Sequence, residues 1–386
     1  MAKKKPPHSA ANSPPSKAVA SSPATTPSAT PGIRTLRAEI AKLDKQIAAA
    51  VAERAEQVRQ LAAQQPTAES RLSDLAVTAV NQGSGAVSDA AMRAVFREVV
   101  AASHAAVAPF RVAYLGPEDS YSHLTAIARF GEASELTPVS TIAAVFEEVA
   151  CGSCALGVVP LENSTHGRVT DTLEAFSKTE VQICGEAPMR IRHCLLGQGP
   201  RSAIRRVISK PQALSQCNHW LAEHLPGVET TPASSTSEAA ALAAADPRIA
   251  AIASEQAGRR HGLEVLAKGI EDQHDNITRF AVIGPQSGEK TGDDKTALMF
   301  EIAHEPGSLA DAMAIFKRRG LNMTWIESFP IPGSRGAGAD GGRYLFFIEL
   351  MGHQAEVRVR RAIDSLQKKC VLLRVLGSYA RAAVLG

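Results

Sequence analysis

Between residues 33 and 61 apolar side chains return at intervals of three, four and seven: Ile33, Leu36, Ile40, Leu43, Ile47, Val51, Val58 and Leu61. That spacing gathers them on one stripe of an α-helix, which Pro66 ends. A second periodic piece covers 72–80, a polar Asn-Gln-Gly-Ser-Gly stretch at 81–85 interrupts it, and a third runs over 90–107. One long and two shorter helices predict a small all-α unit at 33–108, and its long helix needs a partner, taken to be another copy of the chain. At Arg111 the period changes. Short apolar runs at 111–115, 155–159, 181–186, 193–196, 206–208, 249–252 and 279–283 alternate with helical spacing at 122–130, 142–150, 170–176, 213–224, 237–245 and 255–258. This βαβ rhythm predicts open, largely parallel sheets with helices on both faces, and 109–285 is chain enough for two lobes with a cleft between them. A polar, Gly-containing linker follows at 286–294. Beyond it, strands at 297–303, 322–328, 344–350 and 371–376 and helices at 309–319 and 355–369 give the order βαββαβ, a ferredoxin-like unit over 295–386.

Length agrees with this division, since 386 residues exceed a single core. A hydrophobic content of 45% and a charged content of 21% are those of an ordinary globular protein. The net charge of +3 comes without a basic face interleaved with aromatics, so no nucleic-acid partner is expected. No apolar run approaches the roughly 20 residues of a membrane span. Residues 1–32 hold four lysines, no acid and mostly Pro, Ser, Ala and Thr, which predicts a disordered tail without the apolar middle of a secretory signal. Six cysteines scattered at 151, 154, 184, 194, 217 and 370 fit a reducing, cytoplasmic setting. The Cys151/Cys154 pair reads as two small, half-buried thiols, and no histidine pair has metal-ligand spacing, so no metal is expected.

The densest polar chemistry follows the apolar run at 156–159. Pro160 stops that strand, and Glu162, Asn163, Ser164, Thr165 and His166 then precede Gly167. Side chains at the carboxyl end of an α/β strand point into the ligand crevice. Comparable clusters occupy 116–123, 209–213, 234–238 and 276–280. Helix N-termini with free N–H groups favour anions, so a cleft fed by several suits a carboxylate substrate.

The segments GPEDSYSH at 116–123, VVPLENSTHGRV at 158–169, SKPQALSQC at 209–217, STSEAA at 235–240, AIASEQAG at 251–258 and DNITRF at 275–280 resemble the ordered motifs of the prephenate dehydratase family. The resemblance covers about 110–283. It implies a two-lobed, periplasmic-binding-protein-like α/β domain and decarboxylative dehydration of prephenate to phenylpyruvate in phenylalanine biosynthesis, with no cofactor because aromatisation drives the step. It implies Thr278 as donor to, or orienter of, the leaving hydroxyl. Glu162 is the candidate to supply the proton, should burial raise its pKa. Asn163, Ser164, Thr165, Asn276, Phe280, Ser122 and Ser209 are candidate substrate contacts, and Arg279 either grips a carboxylate or braces the strand end. The 162–165 run and the 276–280 segment are expected on opposite walls of one pocket. His166 is assigned a structural role.

The βαββαβ unit resembles an ACT domain, a regulatory module that binds amino acids. Gly307, Ser308 and Leu309, with Glu327 and Ser328, match the segments that clasp phenylalanine, the implied allosteric inhibitor; Phe329 stands where the family has arginine. The N-terminal helices resemble the chorismate mutase fused ahead of such dehydratases. Arg37, Arg54, Asp74 and Ser103 fall on mutase positions, but Gln65, Thr78 and Val107 replace its lysine, glutamate and glutamine. A neutral Gln65 stabilises charge on the breaking ether oxygen far less than lysine, which predicts a weak or lost mutase. The implied assembly is a homodimer or homotetramer. Three other readings of the same motifs stand beside this one: a fully bifunctional mutase–dehydratase, an arogenate dehydratase, and a non-catalytic amino-acid sensor.

Overall fold

The computed structural model describes residues 32–64, 87–106, 111–165, 167–330 and 343–385. The chain divides into two compact units, Met1–Ala50 and Val51–Gly386. Helix α1 (Ile33–Gln64) runs unbroken as its periodicity predicts. Ile33, Ile40, Leu43 and Ile47 are each more than half exposed, so the apolar stripe of its first half is bare among the described residues. Helix α2 (Asp89–Ala105) starts on Ser88, whose Oγ accepts the Ala91 N–H. The helix expected at 72–80 lies outside the described residues.

The chain then builds β1 (Arg111–Leu115), α3 (Tyr121–Phe130), β2 (Glu135–Val139), α4 (Ile142–Ala150), β3 (Leu156–Asn163), β4 (Gly167–Arg168), α5 (Thr170–Lys178) and β5 (Gln182–Arg190). It crosses into a second lobe comprising β6 (Cys194–Gly197), β7 (Arg206–Ser209), α6 (Pro211–Gln216), α7 (Asn218–His224), β8 (Glu229–Pro232), α8 (Thr236–Ala245), β9 (Ile249–Ala253), α9 (Glu255–Arg260) and β10 (Glu264–Lys268). It returns to the first lobe as β11 (Ile277–Gly284). Ser120, Thr141, Ser235 and Ser254 cap α3, α4, α8 and α9 by accepting the N–H three residues on.

The first sheet has the order β2-β1-β3-β11-β5, with β4 paired to β3, and the second β10-β6-β9-β7-β8. Both are mixed rather than largely parallel. β11 lies antiparallel between β3 and β5, and β6 runs antiparallel to β9 and β10. Three strands the apolar runs did not announce, β2, β8 and β10, are all sheet edges. The helix expected over 213–224 is two, α6 and α7, meeting at Cys217.

The C-terminal part consists of β12 (Asp294–Ile302), α10 (Ser308–Arg318), β13 (Met323–Pro330), β14 (Tyr344–Met351), α11 (Val357–Gln367) and β15 (Cys370–Ala380), with the antiparallel sheet order β13-β14-β12-β15. One face of that sheet packs α10 and α11 through Phe300, Phe316, Ile348 and Leu366. The other face shares a core with the first lobe. Ala297, Met299, Phe329, Phe347 and Tyr379 join Leu161, Phe176, Ala281 and Ile283 in one buried cluster. Phe329 therefore packs in the core between the two sheets. Contact is closest at Gly377, where φ is +143° and a Cβ would meet the Ile183 carbonyl oxygen at 2.1 Å. Gly377→Ala is expected to destabilise the protein by about 1–3 kcal/mol through overpacking and backbone strain, read as a fall in the urea midpoint.

Candidate active site

Thr278 and Asn163 are 115 residues apart in sequence, and the return of β11 into the first sheet makes them neighbours. Register places Thr278 opposite Asn163 and Arg279 opposite Glu162, but Phe280 opposite Pro160. Leu161 is therefore the extra residue of a β-bulge. Directly paired residues share a sheet face and successive residues alternate. Thr278 and Asn163 accordingly point to one side, Arg279 and Glu162 to the other.

On the first side the Asn163 Nδ2 donates to Thr278 Oγ1 at 2.8 Å and to Asn276 Oδ1 at 3.0 Å. Its Oδ1 accepts the Thr165 backbone N–H at 3.1 Å and the Thr165 hydroxyl at 2.6 Å. Ser164 ties the turn to β11: its N–H reaches the Ile277 carbonyl at 2.9 Å, and its Oγ accepts the Ile277 N–H at 3.0 Å and donates to the Asp275 carbonyl at 3.2 Å. From the second lobe the Gln216 Nε2 donates to Thr165 Oγ1 at 2.9 Å. The two expected segments thus lie side by side on one sheet, and the group facing them across the lobes is Gln216. A further bridge joins the lobes where Arg260 pairs with Glu118 and, at 3.3 Å, with Asp119, and Ser237 donates to the Glu118 carbonyl at 2.8 Å. The crossover segments are joined where the Ile191 N–H donates to the Asn276 carbonyl at 2.8 Å, and the return is tied to the end of α6 where the Asp272 N–H donates to the Gln216 carbonyl at 2.7 Å.

On the opposite side the Arg279 guanidinium meets three carboxylates: Glu162 at 3.0 Å, Glu186 at 3.4 Å and Glu349 of β14 at 2.5 Å. Lys295 adds a second cation, 2.8 Å from Glu186 and 3.3 Å from Glu349. Burial alone would favour the acid form of Glu349, but Arg279 and Lys295 hold its carboxyl below the ordinary range. Burial opposes the Arg279 charge in turn, and Glu349 and Glu186 more than compensate, so the guanidinium stays protonated. This is the bracing arrangement for Arg279, and it places Glu162 away from Thr278 as an ion-pair partner. Ser209 is fully buried with its hydroxyl spent on the Ile252 carbonyl at 2.6 Å, Ser122 is buried in the first turn of α3, and Phe280 belongs to the core beneath the site. His166 lies outside the described residues. Sequence reasoning assigned no role to Gln216, although it stands in the 209–217 segment, nor to Glu186, Lys295 and Glu349, which carry no local signal.

Residues 112–288 match the prephenate dehydratase family model. The chain is 36% identical over 365 residues to a bifunctional chorismate mutase/prephenate dehydratase of Stutzerimonas stutzeri, covering 91% of this chain and 98% of that one. The corresponding enzyme of Pseudomonas aeruginosa is 39% identical over 291 residues, covering 75% and 78%. Among solved structures, a prephenate dehydratase of Arthrobacter aurescens in complex with L-Phe superposes with a TM-score of 0.64 at 33% identity, over 70% of this chain and 90% of that one. The chain belongs to the prephenate dehydratase family.

Two further groups of candidate residues lie outside the dehydratase cleft. In the C-terminal sheet a cavity of about 150 Å³ opens at the start of α10, lined by Ile302, His304, Ser308, Leu309, Arg343 and Phe346 among others. Gly307 takes the left-handed conformation before the helix, with φ +87°. Glu327 and Ser328 do not line that cavity; Glu327 instead pairs with Arg168 of β4 at 2.6 Å. In the helical region Arg54 donates to Ser103 Oγ at 2.6 Å, so two of the four mutase-like positions meet. Burial, with the Arg54 charge nearby, pushes the neighbouring His104 down to about 4. Arg37 is exposed and Asp74 lies outside the described residues.

Proposed function

We propose that the cleft takes prephenate and releases phenylpyruvate, water and carbon dioxide, with Thr278 donating to the departing ring hydroxyl. The C–O electron pair leaves with that oxygen, which takes up one proton from solvent water while hydrogen-bonded to Thr278 and departs as water. The pair freed from the ring–carboxylate bond enters the ring as carbon dioxide separates. One observation carries the assignment. A backbone N–H can only donate, so the Thr165 amide fixes Asn163 with its oxygen towards Thr165 and its nitrogen towards Thr278. Thr278 Oγ1 is then an acceptor from protein and keeps its own O–H for substrate. A threonine is a weak acid, so its part is a hydrogen bond that strengthens as negative charge grows on the leaving oxygen. Asn163, Thr165, Asn276 and Gln216 frame the substrate from both lobes, and Ser164 fixes the turn. Incubation with prephenate should yield phenylpyruvate, followed by its absorbance; side-by-side turnover of arogenate separates the sister activity, and no product from either would overturn the reading.

The C-terminal unit is read as an ACT domain that binds phenylalanine at the α10 cavity. The αL glycine, the helix start without a side-chain cap and the apolar wall of Leu309 and Phe346 support a zwitterion with an aromatic side chain there. Phenylalanine is expected to lower dehydratase velocity, and a flat titration would refute regulation of this kind. For the helical region the proposal is a weak or lost mutase acting chiefly in self-association to a homodimer or homotetramer, supported by the bare stripe of α1. Chorismate consumption by the whole chain is expected at no more than about a hundredth of the dehydratase rate, given the loss of a charged donor; equal rates would restore the bifunctional reading. The six unbridged thiols fit the reducing cytoplasm.

A further inference from the structure

His193 sits where the chain crosses from the first lobe to the second, 2% exposed. Its N–H donates to the Glu271 carboxylate at 2.8 Å, and its carbonyl accepts the Ile270 N–H at 3.1 Å, so the returning crossover clamps it at both backbone groups. The Tyr121 ring stands edge-on to the imidazole, with centroids 5.9 Å apart. Nε2 lies 2.8 Å from Gln216 Oε1, while Nδ1 is buried without a partner among the described residues.

The donor order established at Asn163 runs on towards this imidazole. The Thr165 hydroxyl proton goes to Asn163 Oδ1, which leaves its oxygen to accept. That acceptor turns Gln216 so that its nitrogen faces Thr165 and its oxygen faces His193. The contact closes only if Nε2 carries a proton, because two acceptors would otherwise meet. Burial disfavours a second proton on the ring, the Gln216 contact opposing it in part.

We infer that His193 is a positioning residue for the dehydration: as the Nε2–H donor it locks the Gln216 amide, and through Thr165 and Asn163 keeps the Thr278 proton aimed at the substrate. Without that donor the Gln216 amide can turn over and offer its oxygen to Thr165. The Thr165 hydroxyl then follows it and leaves Asn163, loosening the amide that holds Thr278. The inference rests on the dehydratase reading above.

Two amide substitutions separate this role from simple packing. Glutamine places an N–H close to where Nε2 stands, whereas asparagine is one methylene short. His193→Asn is expected to lower kcat about ten- to a hundred-fold with KM changed far less, as a small misplacement of a reacting group does. His193→Gln should recover kcat to within about threefold of the parent, since a carboxamide N–H is an equivalent donor. In a Gln216→Leu background His193→Asn should cost less than about a further twofold, because the chain is already cut. Circular dichroism melts confirm that each variant is folded. Equal kcat for the two His193 variants, or a full-sized loss in the Gln216→Leu background, would overturn the inference. A parent protein that forms no phenylpyruvate would instead overturn the reading on which it rests.

Discussion

Thr278→Val is expected to reduce kcat by roughly 10²–10³, equivalent to about 3–4 kcal/mol of transition-state stabilisation, with little change in KM. Valine keeps the branched shape on β11 but has neither an acceptor for Asn163 nor a proton for the leaving hydroxyl. Thr278→Ser restores the hydroxyl and should recover most of the rate. Initial rates of phenylpyruvate formation from prephenate test both. A valine variant within threefold of the parent would remove Thr278 from the chemistry, whatever its hydrogen bonds.

The second large effect lies on the other side of the same strand. Glu349 is 1% exposed and accepts from Arg279, from the Thr324 hydroxyl at 2.6 Å and from the Tyr379 hydroxyl, with Lys295 at 3.3 Å. Glu349→Ala leaves two partly buried cations each short of one partner. Breaking a buried pair on one side costs about 3–5 kcal/mol, so the urea midpoint should fall steeply and kcat with it. The sign of the pH dependence follows. The folded-state pKa of Glu349 is depressed below its unfolded value of 4.5, so its stabilising contribution is complete above that pH and lost as the pH falls through the folded-state value. The variant should therefore lack part of the parent's loss of stability as the pH falls below 4.5. A loss under about 1 kcal/mol would mean that water or rearrangement replaces Glu349.

Much of this architecture is legible from apolar periodicity, because interior strands and amphipathic helices bury whole faces. Apart from the two-residue β4, the strands it does not reveal are β2, β8 and β10. Edge strands are half-solvated, so Glu135-Leu-Thr-Pro-Val139 and Glu229-Thr-Thr-Pro232 carry prolines and few apolar residues, as edges tolerate. The polar turn after β3 and the segment opening β11 were recognisable as a site, but their mutual placement was not. Adjacency of β3 and β11 is a long-range pairing, and a bulge leaves no mark in residue order. A strict period of two carried on from Val158 would turn Glu162 to the Thr278 side; the extra residue at Leu161 reverses it and turns Asn163 there instead. Gln216 stood inside a recognised segment, yet only the meeting of the lobes shows what it touches.

Strand alternation in β11 also decides what the two halves of the molecule share. Thr278 and Arg279 are consecutive residues whose side chains leave the strand in opposite directions, one into the reaction cleft and one into the ion cluster with the C-terminal sheet. β11 is therefore common property: on two successive residues it carries the hydroxyl held by Asn163 and the guanidinium that ties the first lobe to Glu349 of the C-terminal sheet.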